Sequence, residues 1–167
     1  MNILQTVASA AAVLALSACA SIAEPSGGYG GGLDYNAAPN YGTLSLNAGF
    51  TPDPQVISLR AGGDIDSQTL SSSCRGYITR QPDVRLHYSA GSMLPLIISV
   101  AANSDTTLVI NGPDGSWYCD DDGGVNGLNP SVSFNSPQSG RYEIWVGTYQ
   151  AGYSQPAELN ISELYSQ

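Results

Sequence analysis

Thr106–Tyr149 reads TTLVINGPDGSWYCDDDGGVNGLNPSVSFNSPQSGRYEIWVGTY. Within it, Thr107–Ile110, Ser116–Cys119, Ser131–Phe134 and Tyr142–Gly147 are short runs rich in β-branched and aromatic residues. Asn111-Gly-Pro-Asp-Gly115 between the first two is turn chemistry, so those runs are predicted to form a hairpin. Outside this block the same grammar continues. Thr43–Asn47 alternates, Gln55–Arg60 follows the breaker Pro52-Asp53-Pro54, and Val84–Tyr88 alternates again. Leu94–Ala101 is nearly continuous in apolar residues, as expected of a central strand buried on both faces, and Glu158–Ser162 closes the set. No helical period is long enough to compete. The predicted class is all-β, an antiparallel sandwich or jelly-roll-like fold.

Composition narrows the function. The chain of 167 residues carries 14 acidic residues against five arginines and no lysine, a formal net charge of −9. Such a surface offers phosphates no counterion-release gain and is repelled by anionic lipid, which sets nucleic acid aside. Cation binding and plain solubility are the two remaining readings of the acidity.

The amino-terminal segment 1–19 reads as an export signal. Its apolar core, Val7–Leu16, is about ten residues long, short of the roughly 20 that a membrane span requires. Leu16-Ser17-Ala18-Cys19 has the pattern of a lipobox, in which Cys19 is lipidated and becomes the new terminus. Cleavage after Ala20 or Ala23 is the alternative, because the segment before the apolar core lacks a basic residue. The protein is therefore expected as a periplasmic or outer-membrane lipoprotein touching the membrane only through its anchor, or else as a soluble secreted protein. With Cys19 lipidated or removed, Cys74 and Cys119 are left as an even pair in an oxidising compartment, where a disulfide is expected. Two unpaired buried thiols are the other reading. Residues 20–41, with Ser26-Gly-Gly-Tyr-Gly-Gly-Gly32, read as a flexible Gly/Tyr-rich linker, leaving 42–167 as the folded domain.

Leu96-Ile-Ile-Ser-Val100, Ser104-Asp-Thr-Thr-Leu-Val109, Trp117-Tyr-Cys-Asp120, the run Ser133–Tyr149 with its Pro-Gln-Ser-Gly-Arg-Tyr core, and Ala157–Ile161 resemble the bacterial pre-peptidase C-terminal domain. Residues 41–90 fit that pattern only loosely. The resemblance implies a jelly-roll-like sandwich that accompanies secreted enzymes, some members binding calcium and some binding polymers such as collagen. No catalytic domain accompanies it in this chain.

Three kinds of candidate residue follow. Asp105 precedes one strand of the predicted hairpin and Asp120, Asp121 and Asp122 end the other, so all four belong at one end. With Asn126 they form an oxygen-rich candidate calcium site, although the spacing is not that of an EF-hand and Asp114 falls at the opposite turn. A solvated acidic loop explains the same residues. Trp145 and Tyr149, on or beside the strand Tyr142–Gly147, are candidates for an aromatic binding platform, with core packing as the alternative. His87 is the single histidine, and no Gly-x-Ser-x-Gly, Walker or zinc-protease motif accompanies it, so no catalytic residue is assigned. The expected function is a non-enzymatic envelope accessory or binding module whose partner is an envelope protein or polymer. A serine-type peptidase or a subunit of one is the rival reading, and a polysaccharide- or protein-polymer-binding module is another.

Overall fold

The computed structural model describes residues 32–167. Segment 1–19, Cys19 and most of the predicted linker lie outside the described residues. Eleven strands run in the order β1 (Thr43–Asn47), β2 (Gln55–Gly62), β3 (Ile65–Asp66), β4 (Tyr77–Ile78), β5 (Val84–Ser89), β6 (Leu96–Ala101), β7 (Thr106–Asn111), β8 (Trp117–Asp120), β9 (Ser131–Phe134), β10 (Gly140–Thr148) and β11 (Ser154–Ser162). One 3₁₀ turn, Ser67–Thr69, starts on the carboxylate of Asp66, which accepts from Gln68 N.

Two sheets face each other. The four-stranded sheet has the order β2-β11-β6-β9, all antiparallel. The other is built on β10. One edge of β10 pairs with β5 through Gly140–Ile144 and with β4 at Thr148, and its other edge pairs with β7, which carries β8. β1 lies parallel to β5, the one departure from the antiparallel expectation.

The core is written in period two. Val84, Leu86 and Tyr88, then Leu108 and Ile110, then Tyr142, Ile144 and Val146 point inward from the large sheet. Leu59 and Ala61, Leu96, Ile98 and Val100, then Ala157, Leu159 and Ile161 meet them from the small one. Each fully buried aliphatic side chain here contributes about 1.5–3 kcal/mol. β6 begins at Leu96, two residues later than its apolar run, because Pro95 has no amide for the ladder.

The outer face of the large sheet is also covered. Leu33, Ile78, Val109 and Trp145 form a second buried cluster, with Tyr35, Ile65, Leu70, Trp117 and Cys119 against it. Its cover comes partly from residues 33–41, which sequence composition assigns to the linker. This stretch is a strap. Asp34 N donates to Arg80 O, Asn40 N to Pro82 O and Tyr41 N to Asp83 O. Arg85 Nη2 donates to the carbonyls of Tyr35 and Ala37 while its Nε pairs with Glu143 Oε1 at 2.6 Å. The packed domain therefore begins by Leu33 and not at residue 42. The glycine run just before it and its own alanine, asparagine and proline hide the strap, because only Leu33 and Tyr35 pack into the cluster.

Asp83 closes the gap on β10 between β5 and β4. Its Oδ2 accepts from Val146 N at 2.8 Å, replacing a ladder bond, and its Oδ1 accepts from Asn40 Nδ2 at 2.9 Å and from Thr79 Oγ1 at 3.5 Å. It is fully buried.

Candidate functional site

Because β7 and β8 are antiparallel with Leu108 opposite Asp120, the loops 102–105 and 121–130 leave the same end of the sandwich. β10 ends there too, with Thr148 opposite Thr106, so the loop 149–153 joins them. Thr106 N donates to Leu128 O and Tyr149 N to Asp105 O, which stitches the three loops side by side. Asn129 completes the seam. It is buried, accepts from Thr106 Oγ1 at 3.0 Å and donates to Ala102 O at 3.1 Å.

The sequence-predicted carboxylates do gather at this end, but in different roles. Asp120 Oδ2 accepts from Gly123 N at 2.7 Å and from Ser131 N at 2.8 Å, so it fastens the 121–130 loop. A Cβ on residue 123 would sit 2.6 Å from that oxygen, which is why glycine stands there. Asp105, Asp121 and Asp122 share one field. Burial, then the charges of Asp122 and Asp121, push the Asp105 carboxyl above the usual range. Burial followed by Asp122 and Asp120 does the same to Asp121, with Arg75 opposing. Asp105 Oδ1 is buried and makes no hydrogen bond. Among the described residues, no group of three or more His, Cys, Asp or Glu side chains is arranged to hold a metal ion. Asn126 uses its carbonyl for the amides of Leu128 and Asn129. Asp114 lies at the far turn, where Ser116 N and the Tyr118 hydroxyl hold its carboxyl below the usual range.

The aromatic platform divides. Trp145 is 0 % exposed, with its ring 5.7 Å from that of Trp117, and so is not a surface residue. The polar neighbours Arg141 and Glu143 place it on the outward face, as strand alternation predicts, but the strap and the loop carrying Cys74 bury that face. Tyr149 is exposed at 47 %. Tyr153 is exposed at 55 %, and so are Val125 at 73 % and Leu128 at 56 %, the two that sequence reading passes over. Val125 and Leu128 belong to no periodic segment, so no pattern marks them.

Two clefts open along these loops. One of about 210 Å³ is lined by Asp105, Tyr149, Gln150, Tyr153 and Gln155, with Ser104 and Thr148 at its edge. The other, about 430 Å³, runs along Ala101–Asn103, Asn126 and Pro156–Glu158. A third of about 580 Å³ opens beside the strap, at Asn40, Asp64 and Arg80, and carries no aromatic side chain. The expected disulfide is formed between Cys74 and Cys119. His87 is exposed opposite Arg141, and among the described residues no hydrogen bond links it to a serine or a carboxylate.

No family model and no curated protein matches the chain. Among solved structures, the crystal structure of Aeromonas hydrophila PliG, a periplasmic lysozyme inhibitor of g-type lysozyme, matches with 15% sequence identity. The match covers 72% of this chain and 96% of that one, with a TM-score of 0.37. At so low a score no property of that protein is carried to this chain.

Proposed function

We propose that this chain is an exported, non-enzymatic binding module of the cell envelope, as the pre-peptidase C-terminal likeness of residues 96–161 implies, and that it binds through the loop end of its sandwich. The observation that carries the reading is the exposure of Val125, Leu128, Tyr149 and Tyr153 on loops that leave one end of the sandwich together with Asp105, Asp121 and Asp122. Exposed apolar clusters rimmed by polar groups mark interaction sites, and aromatic side chains are enriched there. Loops on a rigid sandwich are where binding residues concentrate. The Cys74–Cys119 bond supports an oxidising compartment. Anchoring through Cys19 completes the proposal. The test is cross-linked capture from an envelope fraction with wild-type protein and with Leu128→Ser/Tyr149→Ala/Tyr153→Ala. All three side chains are exposed, so the variant is expected to melt as wild type does and to lose its captured partner. Equal capture by both proteins would remove the loop end from the function.

Calcium belongs to the same proposal, as a stabiliser held at Asp121 and Asp122 with loop carbonyls, since among the described residues no three carboxylates are grouped to hold an ion. EDTA is expected to lower the melting temperature of the wild type and to leave Asp122→Asn unchanged. Asp120→Ala is the wrong probe, because it unfastens the 121–130 loop with or without a metal. A wild-type melting curve that ignores EDTA would sink the calcium reading.

A further inference from the structure

The loop end is predominantly acidic, with Arg75 opposing beside Asp121. Asp105 lines the 210 Å³ cleft, and one of its carboxylate oxygens is buried with no partner. Asp121 and Asp122 leave the same end of the sandwich and add negative charge there, so the ligand is a cation and not a neutral amide. The rest of the wall is two tyrosines and two glutamine carboxamides, Gln150 and Gln155. Aromatic faces attract guanidinium more often than ammonium, and a carboxylate binds it through two parallel hydrogen bonds.

We infer that the Asp105–Tyr149–Tyr153 cleft is a pocket for an arginine side chain presented by a cationic protein partner. The inference rests on the binding-module reading and gives its partner a chemistry. The net charge of −9 steers a basic protein toward this surface, and the cleft supplies the specific contact.

The probe is N-acetylarginine N-methylamide, titrated into isotope-labelled protein at low salt, with the lysine analogue as comparison. Shifts are expected at residues 104–105 and 148–155, with the arginine compound binding several-fold more tightly. Asp105→Asn and Tyr149→Ala are each expected to weaken it about five-fold or more, while Asp64→Asn, an equal loss of charge at the third cleft, changes it less than about two-fold. Asp105→Asn removes a desolvated charge, so it is expected to melt no lower than wild type. Equal losses with Asp64→Asn, or shifts scattered over the acidic surface, would overturn the pocket as non-specific attraction. A pocket that binds the arginine probe while envelope capture recovers no partner dependent on Leu128, Tyr149 and Tyr153 would instead sink the binding-module reading and leave the pocket standing.

Discussion

Replacing Cys74 and Cys119 together by serine is expected to lower the free energy of unfolding by about 4 kcal/mol. The bridge spans 45 residues, and closing a loop of that size removes a large share of the denatured chain's freedom. Its native-state role points the same way. Cys74 is fully buried and holds the loop after β3, with Leu70, against Cys119, Val109 and Trp145. The cluster so covered is small, far smaller than the core between the sheets, and cannot hold its own cover by apolar area alone. Urea unfolding followed by tryptophan fluorescence reads both effects, since Trp117 and Trp145 lie in this layer and are the chain's two tryptophans. The emission of the folded double variant is expected to shift to longer wavelength as the cover loosens. Wild type treated with reductant is expected to match the variant, which separates the loss of the bond from any effect of the new hydroxyls. A loss below about 1 kcal/mol would mean that the outer layer is held by the strap and not by the bridge.

The layer that the bridge secures is also where sequence reading fell short. Turn-bounded β-branched and aromatic runs identified β1, β2 and β5–β11, by alternation at β1 and β5 and by an unbroken apolar run at β6, and Ser131–Phe134 even has the bounds read for it. The Cys74–Cys119 pair was legible from arithmetic alone. What period two cannot show is a second layer outside a sheet. β3 and β4 have two residues each, too few for alternation, and the strap sends only Leu33 and Tyr35 into the outer cluster, among alanine, asparagine and proline. Trp145 was therefore read as a candidate surface residue, although the same alternation correctly placed it on the outward face. The site shows the same division. Hairpin register brings Asp105 to the end that holds Asp120–Asp122, and that much follows from spacing. Asp120 as a loop fastener, Asn129 as the seam, and Val125 and Leu128 as exposed neighbours depend on contacts between loops that share no periodicity.

Asp83 is expected to make this protein more stable in mild acid than at neutral pH. Its carboxyl is pushed up from an ordinary 3.8 to about 6, first by burial, with the hydrogen bonds from Asn40, Val146 and Thr79 opposing. A carboxyl whose folded pKa lies above its unfolded value favours the folded state when protonated. Its contribution is full below about pH 4 and is lost as the pH rises through about 6. The size is on the order of 3 kcal/mol. Asp105, Asp121 and Glu143 are raised as well and add in the same direction, while exposed Asp114 is lowered and opposes weakly. The protonated form fits the geometry, since an Oδ1–H group can still accept from Asn40 Nδ2 while donating to Thr79 Oγ1. Asp83→Asn keeps an acceptor for Val146 N but turns one donor toward another at Asn40, a loss of about 1 kcal/mol. It is therefore expected to be somewhat less stable than wild type at pH 4 and more stable at pH 7.5, with most of the slope between those values gone. Asp83→Ala leaves Val146 N–H buried without a partner and is expected to destabilise at every pH, by several kcal/mol. Chemical denaturation at a series of pH values distinguishes these outcomes. If Asp83→Asn keeps the wild-type slope, the acid stability arises at the carboxylate end near Asp105, and Asp83 serves only as the rivet joining the strap, β4 and β10.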